Sequence, residues 1–292
     1  MFNSIAALVA AAEEKEQPLY QVICDAEAEL IGTSYAEMER RMRLRLEVMK
    51  KSAVDGLARP VKSLSGLSGG NAYRFGQWLQ TNTPLTGPVL SKAVARAMAV
   101  NEVNAGMGCI VATPTAGSAG ILPATLLTLQ ETHGFGDDDL VNALYTAAGI
   151  GAVIVQRAHV SGAAGGCQAE TGSAAAMAAG AAVQLLGGAP KQSAHAVAIT
   201  LKNMLGLICD PVAGLVEIPC VKRNAAGVAQ CFVAVDLAMA GVESAIPADE
   251  VIDAMASVGS RMDERFRETA LGGLAATPTG KRLARLVMNS EQ

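Results

Sequence analysis

The residues of this 292-residue chain best suited to chemistry are its six cysteines: Cys24, Cys109, Cys167, Cys209, Cys220 and Cys231. They fall into two settings. Cys24, in LYQVICDAEAEL, and Cys231, in VAQCFVAVDLA, sit inside helical patterns and read as small buried hydrophobes. Cys167, Cys209 and Cys220 lie in or beside turns, in Gly166-Cys167-Gln168, Cys209-Asp210-Pro211 and Pro219-Cys220-Val221. Turns expose sulfur and backbone N–H groups together, as a thiolate-bound cluster requires. Cys109 follows Gly106-Met107-Gly108 and fits neither setting. The spacing Cys167-x41-Cys209-x10-Cys220 is not that of paired C-x2-C zinc knuckles. An even cysteine count suits disulfides in a small secreted domain better than a chain of this length. Three thiolates on a [4Fe–4S] cluster would leave one iron open as a Lewis acid. Such an iron can bind a hydroxyl and improve it as a leaving group, whereas a four-cysteine cluster suits electron transfer.

Four Gly-rich polar segments break the surrounding helical pattern. They are Ser63–Asn71, Ala112–Gly120, Ser161–Gln168, and the stretch from Cys209-Asp210-Pro211 to Lys222-Arg223-Asn224. Each leads into an expected helix, where free backbone N–H groups and the positive dipole end favour a carboxylate or phosphate. None matches a P-loop or a strand-linked G-x-G-x-x-G.

The elements that must hold these loops are helices. Ser4 or Asn3 caps a helix to about Lys15, and Leu19 to Ile31 is stopped by Gly32. Ser34 with Glu37 forms a capping-box pattern opening a helix to about Val54, with Met38, Met42 and Met49 on one side. Pro88 starts a helix to about Val103, and Asp137-Asp138-Asp139 starts another reaching about His159. Further helices are expected at 119–132, 169–187, 191–206, 224–244, 248–270 and 278–289. No alternating strand pattern or repeated βαβ spacing is present, so the fold class is mostly α. No low-complexity linker divides the chain. It reads as one domain over 1–292, with the charge-richer 1–60 as a possible outer helical layer.

Composition excludes other classes. Hydrophobic residues are 51%, aromatics 3% and charged residues 17%, with 30 Gly and net charge −4. The chain is too apolar for disorder. It lacks both the basic footprint and the stacking aromatics of nucleic-acid binders. A mean hydropathy of +0.30 raises the question of a membrane. Val103–Gln130 is uncharged but broken by Thr113-Pro114-Thr115-Ala116-Gly117, and Gly172–Gly188 is short and mostly Ala. No signal-peptide pattern precedes Glu13-Glu14-Lys15-Glu16. The expectation is a cytoplasmic protein with no membrane and no nucleic-acid partner, its Ala and Gly permitting close helix packing.

The runs SLSGLSGGNAYRF, TPTAGSAGILPA, SGAAGGCQAETGSAAAM and NMLGLICDPVAGLVEIPCVKRN together resemble the iron–sulfur-dependent L-serine dehydratases, in particular the α chain of the two-chain form. The resemblance is strongest over about residues 60 to 240. It implies a mostly helical catalytic domain, a [4Fe–4S] cluster, no pyridoxal phosphate, and conversion of L-serine to pyruvate and ammonia in amino-acid degradation. It further implies Cys167, Cys209 and Cys220 as cluster ligands. Ser68, Gly69, Gly70 and Asn71, with Thr115, Gly117 and Ser118, match the loops expected around the substrate. A separate β subunit is implied, because the family's smaller domain is not in this chain. Thr113, Ala116 and His159 depart from residues common in the family at those places.

For a β-elimination the open iron would bind the serine hydroxyl, and backbone N–H groups of the 68–71 and 115–120 loops would hold the carboxylate. The general base stays open among His133, His159, His195 and a group from the β chain. His159 lies nearest the cysteines in sequence, and Lys222 and Asn224 adjoin Cys220 and could orient substrate. Three alternatives stand beside this reading. One is a pyridoxal-phosphate dehydratase using Lys62 or Lys202. The others are a cysteine desulfhydrase on the same scaffold and a non-catalytic helical sensor or scaffold.

Overall fold

The computed structural model describes residues 2–290. Among them there are thirteen α-helices and no strand. The helices are α1 Ile5–Glu14, α2 Leu19–Ile31, α3 Tyr35–Ala58, α4 Asn71–Leu79, α5 Gly87–Ala105, α6 Ile121–His133 and α7 Asp137–Arg157. Then follow α8 Gly162–Gly165, α9 Ser173–Leu185, α10 Pro190–Lys202, α11 Cys220–Met239, α12 Ala248–Arg261 and α13 Pro278–Ser290. The mostly-α expectation therefore holds.

Local signals set many boundaries. Ser4 Oγ accepts from Ala7 N, and Gly32 ends α2 at φ +61°, a conformation that costs other residues more. Ser34 Oγ accepts from Glu37 N, but only half of the capping box forms. The Glu37 carboxylate instead takes Arg40 and Arg41. α12 contributes to α1 directly, since Asp249 accepts from Ile5 N at 2.8 Å and Ala6 N at 3.0 Å.

At the centre is α9, SAAAMAAGAAVQL, buried on nearly every residue. It is packed by α7, α10, α11 and α6. Small side chains let these helices approach closely. At Gly120, which precedes α6, a Cβ would stand 2.2 Å from the Ala97 carbonyl of α5. We expect Gly120→Ala to destabilise the chain by about 1–3 kcal/mol, the cost of overpacking, read as a lower denaturant midpoint. Outside this core, α1 packs on α10 and α2, α2 on α7, and α3 on α5. Among the described residues one helix, α7, is long and apolar enough to cross a membrane by length and composition. Most of its apolar window is buried within the protein.

Four expectations need correction. Asn71, read as the last residue of a loop that leads into a helix, is itself the first residue of helix α4, because its cap comes from far away: buried Glu102 of α5 accepts from Asn71 N, Asn71 Nδ2 and Ala72 N at 2.8–3.1 Å. The helix expected from 169 opens with a π-turn, Gln168–Gly172, before α9. The helix expected from 224 starts at Cys220, where Val221 N reaches Glu217 O. The helix expected to reach 270 stops at Arg261. Beyond it the chain folds back, with left-handed φ at Glu268, Ala270 and Gly273.

Candidate active site

Cys167 stands immediately before the π-turn, a distortion common at functional sites. Its Sγ lies 2.9 Å from Thr171 Oγ1. Cys209 is held by the returning C-terminal segment: its N–H donates to Phe266 O, and its carbonyl accepts from Glu268 N, both at 2.8 Å. Cys220 is the first residue of α11. Turn settings suggested exposed sulfur, but Cys167 and Cys209 are buried and Cys220 half-buried. The reason is the segment after α12. It covers Cys209, and its Met262 Sδ sits 2.6 Å from where a Cβ at Gly166 would be.

The three thiols share one electrostatic environment. Burial pushes the Cys220 thiol up to about 12, with Cys167 and Glu170 adding to the rise. Burial raises Cys209 further, aided by Glu170 and Cys167. Cys167 is also raised, mainly by burial, while Thr171 and Arg223 pull the other way. Cys231 is raised to about 12 by burial alone, as suits a core hydrophobe in α11. Cys24 is buried in α2, as its pattern predicts, and Cys109 is exposed.

Arg223, one turn into α11, braces this region. Its guanidinium donates to Ile208 O at 2.9 Å and to Asp210 Oδ1 at 2.8 Å. Asp210 is almost fully buried and also accepts from Leu274 N at 2.7 Å. The loop carrying Cys209, helix α11 and the C-terminal segment are thereby joined.

Glu170 lies in the π-turn and faces the same place. Its Oε1 accepts from Thr115 Oγ1 at 2.7 Å, and its Oε2 lies 3.7 Å from Cys209 Sγ. Burial raises its pKa. A Cβ at Gly162 would meet Cys209 Sγ and Glu170 Oε2, each at 2.7 Å, and Glu268 Oε2 at 3.1 Å. A glycine at that position leaves a cradle that any side chain would fill. Likewise, the point where Gly117 would carry a side chain lies 3.2 Å from Glu170 Oε1 and 3.6 Å from Val216 Cγ1.

The expected substrate loops converge here through carboxylates. Ser68 Oγ donates to Glu217 Oε2 at 2.7 Å, and Ser65 Oγ to Glu217 Oε1 at 2.8 Å. Glu217 precedes Cys220 by three residues, so the Ser63–Asn71 loop is tied to the cysteine loop. The Gly69–Gly70 backbone lies on Val61 and Lys62, and Gly70 N donates to Val61 O. Asn71 is held by Glu102. Ser118 Oγ lies 3.2 Å from Thr115 Oγ1 and donates to Thr113 O. Asn224 is fully buried and acts as a clamp. Its Nδ2 donates to Gly117 O and Cys220 O, and its Oδ1 accepts from Gly120 N. By contrast, His159 and Lys222 are exposed, and neither side chain makes a hydrogen bond to the described residues. His133, Lys62 and Lys202 are exposed as well, and His195 Nδ1 accepts from Ser244 N.

Glu170, Glu217, Glu102 and Arg223 were absent from the residues singled out in the sequence. A signal existed for two of them. Glu170 is the only Asp, Glu, Lys or Arg between Arg157 and Lys191, and Asp210 and Glu217 are the only two between Lys202 and Lys222. A lone carboxylate in an apolar, Gly-rich run has to find partners inside the protein.

Among the described residues, no three His, Cys, Asp or Glu side chains stand close enough to share a single metal ion. A multi-iron cluster makes a different demand. It takes one thiolate per iron, so its ligands stand apart by the width of the cluster. The donor set fits such a group. Two buried thiols and a half-buried third influence one another electrostatically, the Arg223 cation stands beside them, and the cradle at Gly162 admits no side chain. A cavity of about 900 Å³ lined by Leu90, Leu129, Leu185 and Phe232 contains none of these cysteines.

Comparison with known proteins agrees with the motifs. The family model "Serine dehydratase alpha chain" matches residues 5–275. The "Probable L-serine dehydratase, alpha chain" of Bacillus subtilis (strain 168) is 48% identical over 287 residues, covering 98% of this chain and 95% of that one. The "L-serine dehydratase, alpha chain" of Peptoniphilus asaccharolyticus is 43% identical over 98% of both chains. The "L-serine dehydratase" of Mycobacterium tuberculosis (strain CDC 1551 / Oshkosh) is 46% identical over 184 residues, 61% of this chain and 40% of that longer protein. With its three turn cysteines, its Ser/Gly loops and a family match over most of its length, the chain belongs to the serine dehydratase alpha chain family.

Proposed function

We propose that this chain is the catalytic α subunit of an L-serine dehydratase, a lyase that eliminates water from L-serine and releases pyruvate and ammonia. The observation that carries the reading is the meeting of Cys167, Cys209 and Cys220 with the Ser65–Asn71 and Thr115–Ser118 loops through Glu170 and Glu217. Near-full-length similarity to chains named as L-serine dehydratase α chains supports it. We assign Cys167, Cys209 and Cys220 to an iron–sulfur cluster of the [4Fe–4S] kind. When bound, the cluster supplies a Lewis acid for the departing hydroxyl.

The chain's own residues have three tasks. Asn224 and Glu102 fix the two substrate loops by buried hydrogen bonds, so the loops need little reordering when substrate arrives. Arg223 offsets the negative charge of Cys167 and Cys220, which burial alone disfavours. The C-terminal segment over Cys209 keeps water from the sulfurs. Six unpaired cysteines and an iron site both suit a reducing compartment, and we place the reaction in the cytoplasm. The partner we propose is a separate β subunit, as the α-chain name of the relatives suggests.

The test uses the chain purified anaerobically with its partner, supplied with L-serine, and followed by pyruvate formation. Borohydride treatment in the presence of substrate should leave activity unchanged. Inactivation with a covalently trapped lysine adduct would instead establish the pyridoxal-phosphate alternative. No release of pyruvate from L-serine would remove the proposed activity.

A further inference from the structure

The hydrogen-bond direction at Ser68 determines what that residue can offer a substrate. A serine hydroxyl has one proton and two lone pairs. The Ser68 proton is used on Glu217 Oε2, and the Ser65 proton on Glu217 Oε1. Ser68 Oγ therefore has only lone pairs left, and it cannot donate to a carboxylate. The loop backbone is similarly committed: Ser68 N donates to Ser63 Oγ, Gly70 N to Val61 O and Asn71 N to Glu102. The expectation that this loop holds a substrate carboxylate through N–H groups thus loses most of its donors.

A second observation concerns charge. Glu217 is 6% exposed, yet among the described residues no Lys, Arg or His lies within ion-pair distance of it. Its neighbour in the loop, Asp210, has Arg223. A buried carboxylate satisfied only by two neutral hydroxyls keeps a strong attraction for a cation.

We infer that Ser68 and Glu217 form the subsite for the substrate's α-ammonium, with Ser68 Oγ accepting from it and Glu217 supplying the opposing charge and orienting the hydroxyl. Glu217 is the positioning residue of this pair. The inference rests on the proposed dehydration of an amino acid and adds the reason for choosing one: a hydroxy acid lacking the ammonium leaves this subsite without a cation.

The experiment uses the anaerobic holoenzyme and two probes, L-serine as substrate and 3-hydroxypropionate as competitive inhibitor. The latter keeps the carboxylate and the β-hydroxyl but has no ammonium. Glu217→Gln is expected to raise KM for L-serine by roughly 10–100-fold, the worth of a hydrogen bond involving a charged group. The change in kcat should be smaller, and Ki for 3-hydroxypropionate and the iron content should stay at wild-type values. Ser68→Ala, which removes one half-buried hydroxyl, should show the same split with a smaller rise, and Glu217→Asp should restore part of it. A parallel rise of KM and Ki, or an unchanged KM in both variants, would overturn the inference. An unmodified holoenzyme without activity on L-serine would instead remove the function on which the inference rests.

Discussion

Alanine at Cys167, Cys209 or Cys220 should each strip the anaerobically prepared protein of its bound iron and its pyruvate-forming activity. The expected loss exceeds the roughly 10–100-fold that changes to outer-shell partners of a metal site typically cost. The three are equivalent in this respect because each supplies one thiolate, and no fourth cysteine stands nearby to substitute. Cys24 and Cys231 are buried in α2 and α11, and Cys109 is exposed after α5. Alanine at Cys109 should therefore leave iron and activity unchanged. At Cys24 and Cys231 the outcome should be a modest stability cost without loss of iron. Iron determination on all six variants, prepared in parallel, checks the pattern. Retention of full iron by any one of the Cys167, Cys209 and Cys220 variants would refute the assignment of that residue.

The second large effect concerns stability. Removing one partner from a buried ion pair leaves the other charge uncompensated, at a cost of about 3–5 kcal/mol. Arg223→Ala should act in this way on Asp210, which would keep only the Leu274 N–H. The loss should appear as a lower denaturant midpoint and as faster proteolysis after α12, because Asp210 also anchors the returning segment. Replacing both residues together by apolar side chains of similar volume should recover much of the stability, since no orphaned charge remains. That double variant should still lose iron, because Arg223 also opposes the burial-driven rise of Cys167. A stable Arg223→Ala protein would show that the pair does not hold the cysteine loop in place.

How much of this was legible in the sequence depended on where each partner lies. α2 could be read from Pro18 to Gly32 because both of its boundaries are local backbone effects. The start of α4 could not, because the acceptor for its first N–H groups is Glu102, 31 residues away. The end of α12 was overrun for a similar reason: the chain leaves the helix to pair with Cys209, and nothing within 262–270 announces that partner. The cysteines and the Ser/Gly loops were visible as motifs. The groups that join them were not, because Glu170 and Glu217 contribute by contact across the fold. Spacing placed His159 and Lys222 near the cysteines, but adjacency in sequence did not bring either side chain inward.

The most direct test of the central claim is a single preparation followed through exposure to air. The chain and the proposed β subunit are purified under anaerobic conditions, and the visible spectrum is recorded alongside pyruvate formation from L-serine. The account expects a broad thiolate–iron absorption that bleaches in air together with the activity and returns with it on anaerobic reconstitution with iron and sulfide. A colourless protein that dehydrates L-serine at an undiminished rate in air would contradict it.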